Sequence, residues 1–167
     1  MSKKCCNSSC GAQFVICPTP VTPICNPPVP FTTTIPGGLY AGKEFHISGV
    51  PSCSPSRFSI ILMCGACNCA DIALHFDVRF CYGPDRNVVV INDRQCGTFG
   101  KEERNQRCFP FCPNVAFEIV IRVEANCFKI SVNNSHFSEF CHRVFPLQRA
   151  DQLNITGDVR LTEICFQ

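Results

Sequence analysis

The feature that most constrains this chain is an alternation of period two. Over residues 71–80, Ile72, Leu74, Phe76, Val78 and Phe80 take turns with Asp71, Ala73, His75, Asp77 and Arg79. Successive side chains on a strand point to opposite faces, so one face here is wholly apolar and the other almost wholly polar. A helix would scatter the same residues around its axis. The pattern is that of a half-buried antiparallel strand. Residues 117–123 repeat it, with Phe117, Ile119, Ile121 and Val123 on one side. After a turn at Ala125-Asn126, Phe128, Ile130 and Val132 alternate with Lys129, Ser131 and Asn133, so the two runs read as a hairpin. Further strands are expected at 43–49, 57–64, 87–92, 136–141 and 158–166, between turn clusters such as Gly83-Pro84-Asp85 and Asn133-Asn134. No stretch holds a helical period for three turns. The expected fold is all-β, a sandwich of two antiparallel sheets.

The first thirty residues are of another kind. They carry five cysteines and six prolines, with little that could build a core. Each proline removes a backbone donor and biases the residue before it towards extended conformations. Residues 1–29 are therefore expected to be a flexible, Cys/Pro-rich tail, and residues 30–167 a single domain. Sixteen cysteines in 167 residues would suit a disulfide scaffold. Against that, 46% hydrophobic residues and 15 Phe furnish a core that needs no staples. Nothing at the N-terminus resembles a secretory leader, so a reducing compartment and mostly free thiols are expected. No apolar run approaches the roughly 20 residues that span a bilayer, which argues against membrane insertion. A net charge of only +2 argues against a nucleic-acid partner.

Function is suggested by the polar face of the strand at 71–80. His75, Asp77 and Arg79 recur at every second position and so line one surface about 7 Å apart. Downstream, the run Val88–Asn92 ends in an amide, and Phe99, Glu102 and Arg104 follow a turn. Adjacent strands would display these groups together. Such a set suits a sugar, whose hydroxyls both donate and accept and whose ring has an apolar C–H patch for an aromatic to cover. Arg–carboxylate pairs would fix the planar groups before the ligand arrives. The plainer reading is an exposed sheet face laced with cross-strand ion pairs, and pattern alone leaves both open.

The same residues resemble the carbohydrate-recognition domain of the galectin family, whose signature runs His-x-Asn-x-Arg, Val-x-Asn and Trp-x-x-Glu-x-Arg. The matching positions are His75, Asp77 and Arg79; Val90 and Asn92; and Phe99, Glu102 and Arg104. The resemblance extends to Ile35-Pro-Gly-Gly-Leu39, Phe109-Pro-Phe111, Glu139-Phe-x-His-Arg143 and Leu153-x-Ile-x-Gly-Asp-Val159. It implies a jelly-roll β-sandwich that binds β-galactosides with no metal, no cofactor and no catalysis. It further implies that His75 and Arg79 bond the axial 4-hydroxyl of galactose, with Asp77 beside them. Asn92 and Glu102 would hold the 6-hydroxyl, Phe99 would stack on the ring, and Glu102 and Arg104 would reach the next sugar. The implied partners are glycoproteins or glycolipids, with self-association as a homodimer or a disulfide-linked oligomer. The implied location is the cytoplasm, the cell exterior by non-classical secretion, or both. Two departures bear on the site: Asp77 replaces an Asn, and Phe99 replaces the stacking Trp in a chain that has no Trp at all. A sandwich whose galactoside site has weakened, changed specificity or been lost is the alternative.

Two further clusters invite chemistry. Cys64-Gly-Ala-Cys67-Asn-Cys69 has zinc-like spacing, but no second cysteine or histidine pair stands at knuckle spacing, so exposed thiols in a hairpin are expected. Cys141 and His142 are adjacent on a strand and point to opposite faces, which excludes a nucleophile–base pair. His46 and His136 are expected to lack acidic company.

Overall fold

The computed structural model describes residues 22–105 and 108–167. The tail expected over residues 1–29 lies outside the described residues as far as Val21. Thirteen strands are formed among the described residues, and the one helical element is a 3-10 turn at Leu147–Arg149. In chain order the strands are β1 (Ile24–Cys25), β2 (Phe31–Thr34), β3 (Glu44–Pro51), β4 (Arg57–Met63) and β5 (Ile72–Tyr82). There follow β6 (Asp85–Gln95), β7 (Thr98–Phe99), β8 (Glu103–Asn105), β9 (Phe117–Val123) and β10 (Cys127–Val132). The chain closes with β11 (Ser135–Cys141), β12 (Gln152–Gly157) and β13 (Val159–Phe166).

They form two sheets with antiparallel pairings. One has six strands in the order β1-β13-β3-β9-β10-β11. The other has seven, in the order β2-β12-β4-β5-β6-β7, with β8 also pairing with β6. This is the expected sandwich. The apolar halves of the alternating strands meet between the sheets: Phe45, Ile47, Ile119 and Ile121 from one, and Ile60, Leu62, Leu74 and Phe76 from the other, all buried. Phe58 of β4 stacks on Phe117 of β9 with ring centroids 5.1 Å apart, so aromatic contact bridges the two layers. Phe109 and Phe111 join the same cluster through edge-on contacts.

Four details differ from the reading of the sequence. β1 lies inside the stretch read as tail, where Ile24 pairs with Ile164 and Cys25 with Glu163. β2 and β12 were not anticipated, although β12 pairs β2 on one side and β4 on the other. His46 does have acidic company, with Glu44 at 3.3 Å and Glu118 at 3.6 Å. Cys67 and Cys69 are not free thiols but are joined by a disulfide.

Candidate functional site

The register of the seven-stranded sheet decides which side chains meet. Across β5 and β6, His75 stands opposite Asn92, Asp77 opposite Val90 and Arg79 opposite Val88. Across β4 and β5, Arg57 stands opposite Arg79, Ser59 opposite Asp77 and Ile61 opposite His75. On the far side of β6, Arg94 faces Phe99 and Val90 faces Arg104. Residues directly opposite share a face, so His75, Asp77, Arg79, Asn92, Phe99 and Arg104 all belong to the outer face of one sheet. A shallow groove of about 290 Å³ opens there, lined by Arg57, His75, Arg79, Tyr82, Asn92 and Glu102, with Val90 and Phe99 completing it.

Asp77 is on this face but not at its surface. Its side chain is wholly buried beneath its neighbours, accepting from Ser59 Oγ at 2.6 Å and from Arg79 Nε at 2.6 Å. It supports the groove and does not line it. Placing Arg57 opposite Arg79 sets two cations side by side, an arrangement that is unfavourable unless compensated. The Asp77 carboxylate lies 3.9 Å from Arg57, and the Tyr82 ring lies under both guanidiniums, at 4.2 Å from Arg57 and 5.4 Å from Arg79.

A chain of ion pairs continues along the face. Arg79 Nη1 donates to Asp85 Oδ2 at 2.6 Å, and Arg104 Nη1 donates to Asp85 Oδ1 at 2.8 Å. Arg104 Nε in turn donates to Glu102 Oε2 at 2.8 Å. The two hydrogen bonds from Arg104 and Arg79 hold the Asp85 carboxyl below the usual carboxylate range. Each of these planar groups is thus oriented without a ligand, while Arg79 commits only two of its five N–H groups to Asp77 and Asp85.

Asn92 is nearly buried. It donates from Nδ2 to the Gly100 carbonyl at 3.0 Å and accepts at Oδ1 from the Asp93 amide at 2.9 Å. These bonds leave the amide one further N–H and one acceptor lone pair. The bond to Gly100 also ties the end of β7 to β6, which sets Phe99. The Phe99 ring is half exposed, 5.7 Å from the His75 ring and 5.8 Å from the Arg94 guanidinium. Burial lowers the His75 pKa below its ordinary value; Asp77 opposes this, and Arg57, Arg79 and Arg94 add to it. His75 is therefore neutral near pH 7, with one ring nitrogen donating and the other accepting.

The groove thus gathers His75, Arg79, Asn92, Phe99 and Glu102, and Arg104 sits at its rim through its pairs with Asp85 and Glu102. Arg57, Ser59, Tyr82 and Asp85 complete the arrangement and were not singled out from the sequence. Among the described residues no three or more His, Cys, Asp or Glu side chains gather as a metal site.

A family model described as galactoside-binding lectin matches residues 30–166. The chain belongs to the galectins. Bovine galectin-4 is 42% identical over 144 residues, spanning 86% of this chain and 42% of that protein. Mouse galectin-3 is 38% identical over 134 residues, spanning 80% of this chain and 48% of that protein. The galectin chain therefore spans less than half the length of these curated relatives. Among solved structures, sheep galectin-11 in complex with glycerol superposes with a TM-score of 0.74 at 26% identity, covering 84% of this chain and 98% of that one. The Caenorhabditis elegans galectin LEC-6 superposes with a TM-score of 0.75 at 27% identity, covering 87% and 95% respectively.

Proposed function

We propose that this galectin binds β-galactosides of the lactose and N-acetyllactosamine type in the groove on the outer face of its seven-stranded sheet. The observation that carries the reading is the joint presence of His75, Arg79, Asn92, Phe99 and Glu102 around one opening. Galactose lies with its C–H face on Phe99. The neutral His75 and the uncommitted N–H groups of Arg79 meet the axial 4-hydroxyl, and the remaining amide valences of Asn92, with Glu102, meet the 6-hydroxyl. Glu102 and Arg104 reach the adjoining sugar. An equatorial 4-hydroxyl would leave these buried polar groups unpaired, which is how such a site prefers galactose to glucose.

Asp77 acts at one remove, by holding Arg79. Its carboxylate accepts from both Ser59 and Arg79, so acceptor-only chemistry suits the position. Phe99 presents a smaller face than an indole, and a moderate affinity follows. The half-exposed ring beside His75 supports retained sugar binding over a decayed site. The chain acts as a binding protein without catalysis. Its ligands are glycoproteins or glycolipids in the cytoplasm or outside the cell, and it self-associates to present more than one groove. Among the described residues no helix is long and apolar enough to cross a membrane.

Retention on lactose-agarose with elution by free lactose tests the reading, paired with titration against maltose as the non-galactoside control. Selective retention supports it. No retention, together with no binding across a broad glycan array, would sink it.

A further inference from the structure

The hairpin β10–β11 carries a feature unrelated to the groove. Cys127 stands directly opposite Cys141 in the register of these two strands. No other cysteines face each other in this way in the strand pairings of the described residues. The type of pairing follows from the adjacent backbone bond: the His142 amide donates to the Asn126 carbonyl at 2.9 Å. Asn126 and His142 are therefore a hydrogen-bonding pair. Because the two kinds alternate along an antiparallel ladder, Cys127 and Cys141 are a non-hydrogen-bonding pair. In such pairs the Cα atoms approach to about 4.5 Å and the side chains lie close together. That falls inside the roughly 4.4–6.8 Å over which a disulfide closes without moving the backbone.

Both side chains lie on the outer face of the six-stranded sheet. Phe128, Ile130 and Phe140 of the same strands are buried in the core, so the alternation sends Cys127 and Cys141 outward. Both are free thiols, Cys141 exposed and Cys127 half-buried. The two differ in readiness. Burial raises the Cys127 pKa, with Glu139, Cys141 and Glu124 adding to it and Lys129 opposing. Cys141 is thus the thiol an external reagent meets first.

We propose that Cys127 and Cys141 form a redox-active dithiol that closes to a cross-strand disulfide by exchange with a small disulfide of the glutathione class. The Cys141 thiolate attacks one sulfur of glutathione disulfide; that S–S bond breaks and one glutathione thiolate leaves. The Cys127 thiolate then attacks Sγ of Cys141 in the mixed disulfide and expels the second glutathione. Two protein thiols lose two protons and two electrons, and one glutathione disulfide becomes two glutathione thiols. The site lies on the sheet that does not carry the sugar groove, so its chemistry stands whether or not a galactoside binds.

The test uses the full chain, reduced and then equilibrated with glutathione disulfide. Remaining thiols are blocked with N-ethylmaleimide, and the monomer fraction is digested with trypsin without reductant. Cleavage after Lys129 separates the two cysteines, so closure appears as residues 123–129 linked to residues 130–143. The expected result is that this linked species dominates the recovery of both peptides and disappears on reduction. In Cys127→Ser, Cys141 should instead end as its glutathione adduct; the variant probes a half-buried outer-face position and spares the core. Recovery of Cys127 and Cys141 as separate alkylated or glutathionylated peptides in the natural chain would overturn the proposal. So would linkage of either one to a different cysteine.

Discussion

Arg79 donates from Nε to the carboxylate of Asp77 at 2.6 Å, and that acid has no exposed surface. A fully buried carboxylate needs its partners, and this contact aims the guanidinium to which the proposed sugar site gives a binding role. Removing one member of a buried pair strands the other and typically costs about 3 kcal/mol or more. Asp77→Ala is therefore expected to lower stability by about 3 kcal/mol and lactose affinity by at least roughly tenfold. Asp77→Asn keeps an acceptor for Arg79 and a group for Ser59, and should retain most of both. Denaturant titration and calorimetry with lactose compare the two; equal losses would contradict a positioning role.

Phe99 occupies a half-exposed position and contributes little to the core. Replacing its ring should alter binding and leave folding alone. Phe99→Trp enlarges the stacking face and is expected to gain about 1 kcal/mol, a several-fold tighter lactose Kd. Phe99→Ala is expected to lose most of the binding with no shift in unfolding midpoint. A large fall in stability for Phe99→Ala would mean that the ring serves the fold rather than the sugar.

Asp85 links Arg79 to Arg104 through its two oxygens, at 2.6 and 2.8 Å. It is partly solvated, so its electrostatic share in stability is screened and small. Its larger effect is on order, because losing it frees two guanidiniums at once. Asp85→Ala is expected to weaken lactose binding by about fivefold with a minor change in stability. An unchanged Kd would show that Arg79 and Arg104 need no such link.

How much of this was legible in the sequence depended on what set each position. β5, β9 and β10 announced themselves because their alternation is long, and a one-residue slip would turn every apolar side chain outward. β12 offers only Leu153 and Ile155 as inward residues, and β2 is mostly threonine, so neither pattern outweighs its turns. Their assignment rests on pairing across more than a hundred residues, which local periodicity does not contain. The row of His75, Asp77 and Arg79 was visible, but the burial of Asp77 was not, since Ser59 and Arg57 arrive from β4. Asp85 was hidden by its company. Gly83-Pro84-Asp85 reads as a turn, yet Tyr82 already pairs with Asp85 and the turn holds only two residues. That tight turn is what brings the carboxylate into line with Arg79.

The His75 pKa makes a pH prediction whose sign can be worked out. An unfolded histidine takes its proton near pH 6.5, about where an exposed imidazole also titrates. In the fold, burial together with Arg57, Arg79 and Arg94 pushes the pKa lower against the pull of Asp77. Above about pH 6.5 both states are neutral and the full stability is present. As pH falls below that value the unfolded chain binds the proton first, so stability declines until the folded pKa is passed. Lactose affinity should hold from pH 8 through 6.5 and fall only in more acidic solution, when the ring loses its acceptor. His75→Gln should flatten the acid limb of the binding curve. A midpoint at or above 6.5 would contradict the assignment.

Gly100 connects the groove to the layer beneath it. Its amide donates to the Asp93 carbonyl at 3.0 Å, and its own carbonyl accepts from Asn92. A Cβ at this position would overlap the Asp93 carboxylate and approach Asn92 Oδ1 to 3.2 Å. The carboxylate has little room to retreat, because Arg143 holds one oxygen at 2.9 Å and Gln95 the other at 2.9 Å. Relief must come from the segment that carries Phe99 and Glu102, or from breaking those bonds. Gly100→Ala is accordingly expected to cost about 1–3 kcal/mol of stability, as overpacking does, and to weaken lactose binding more than its distance from the sugar suggests. Calorimetry on the variant at a temperature where it is fully folded separates the two effects. An unchanged Kd there would show that Asn92 and Phe99 keep their places without the close approach at Gly100.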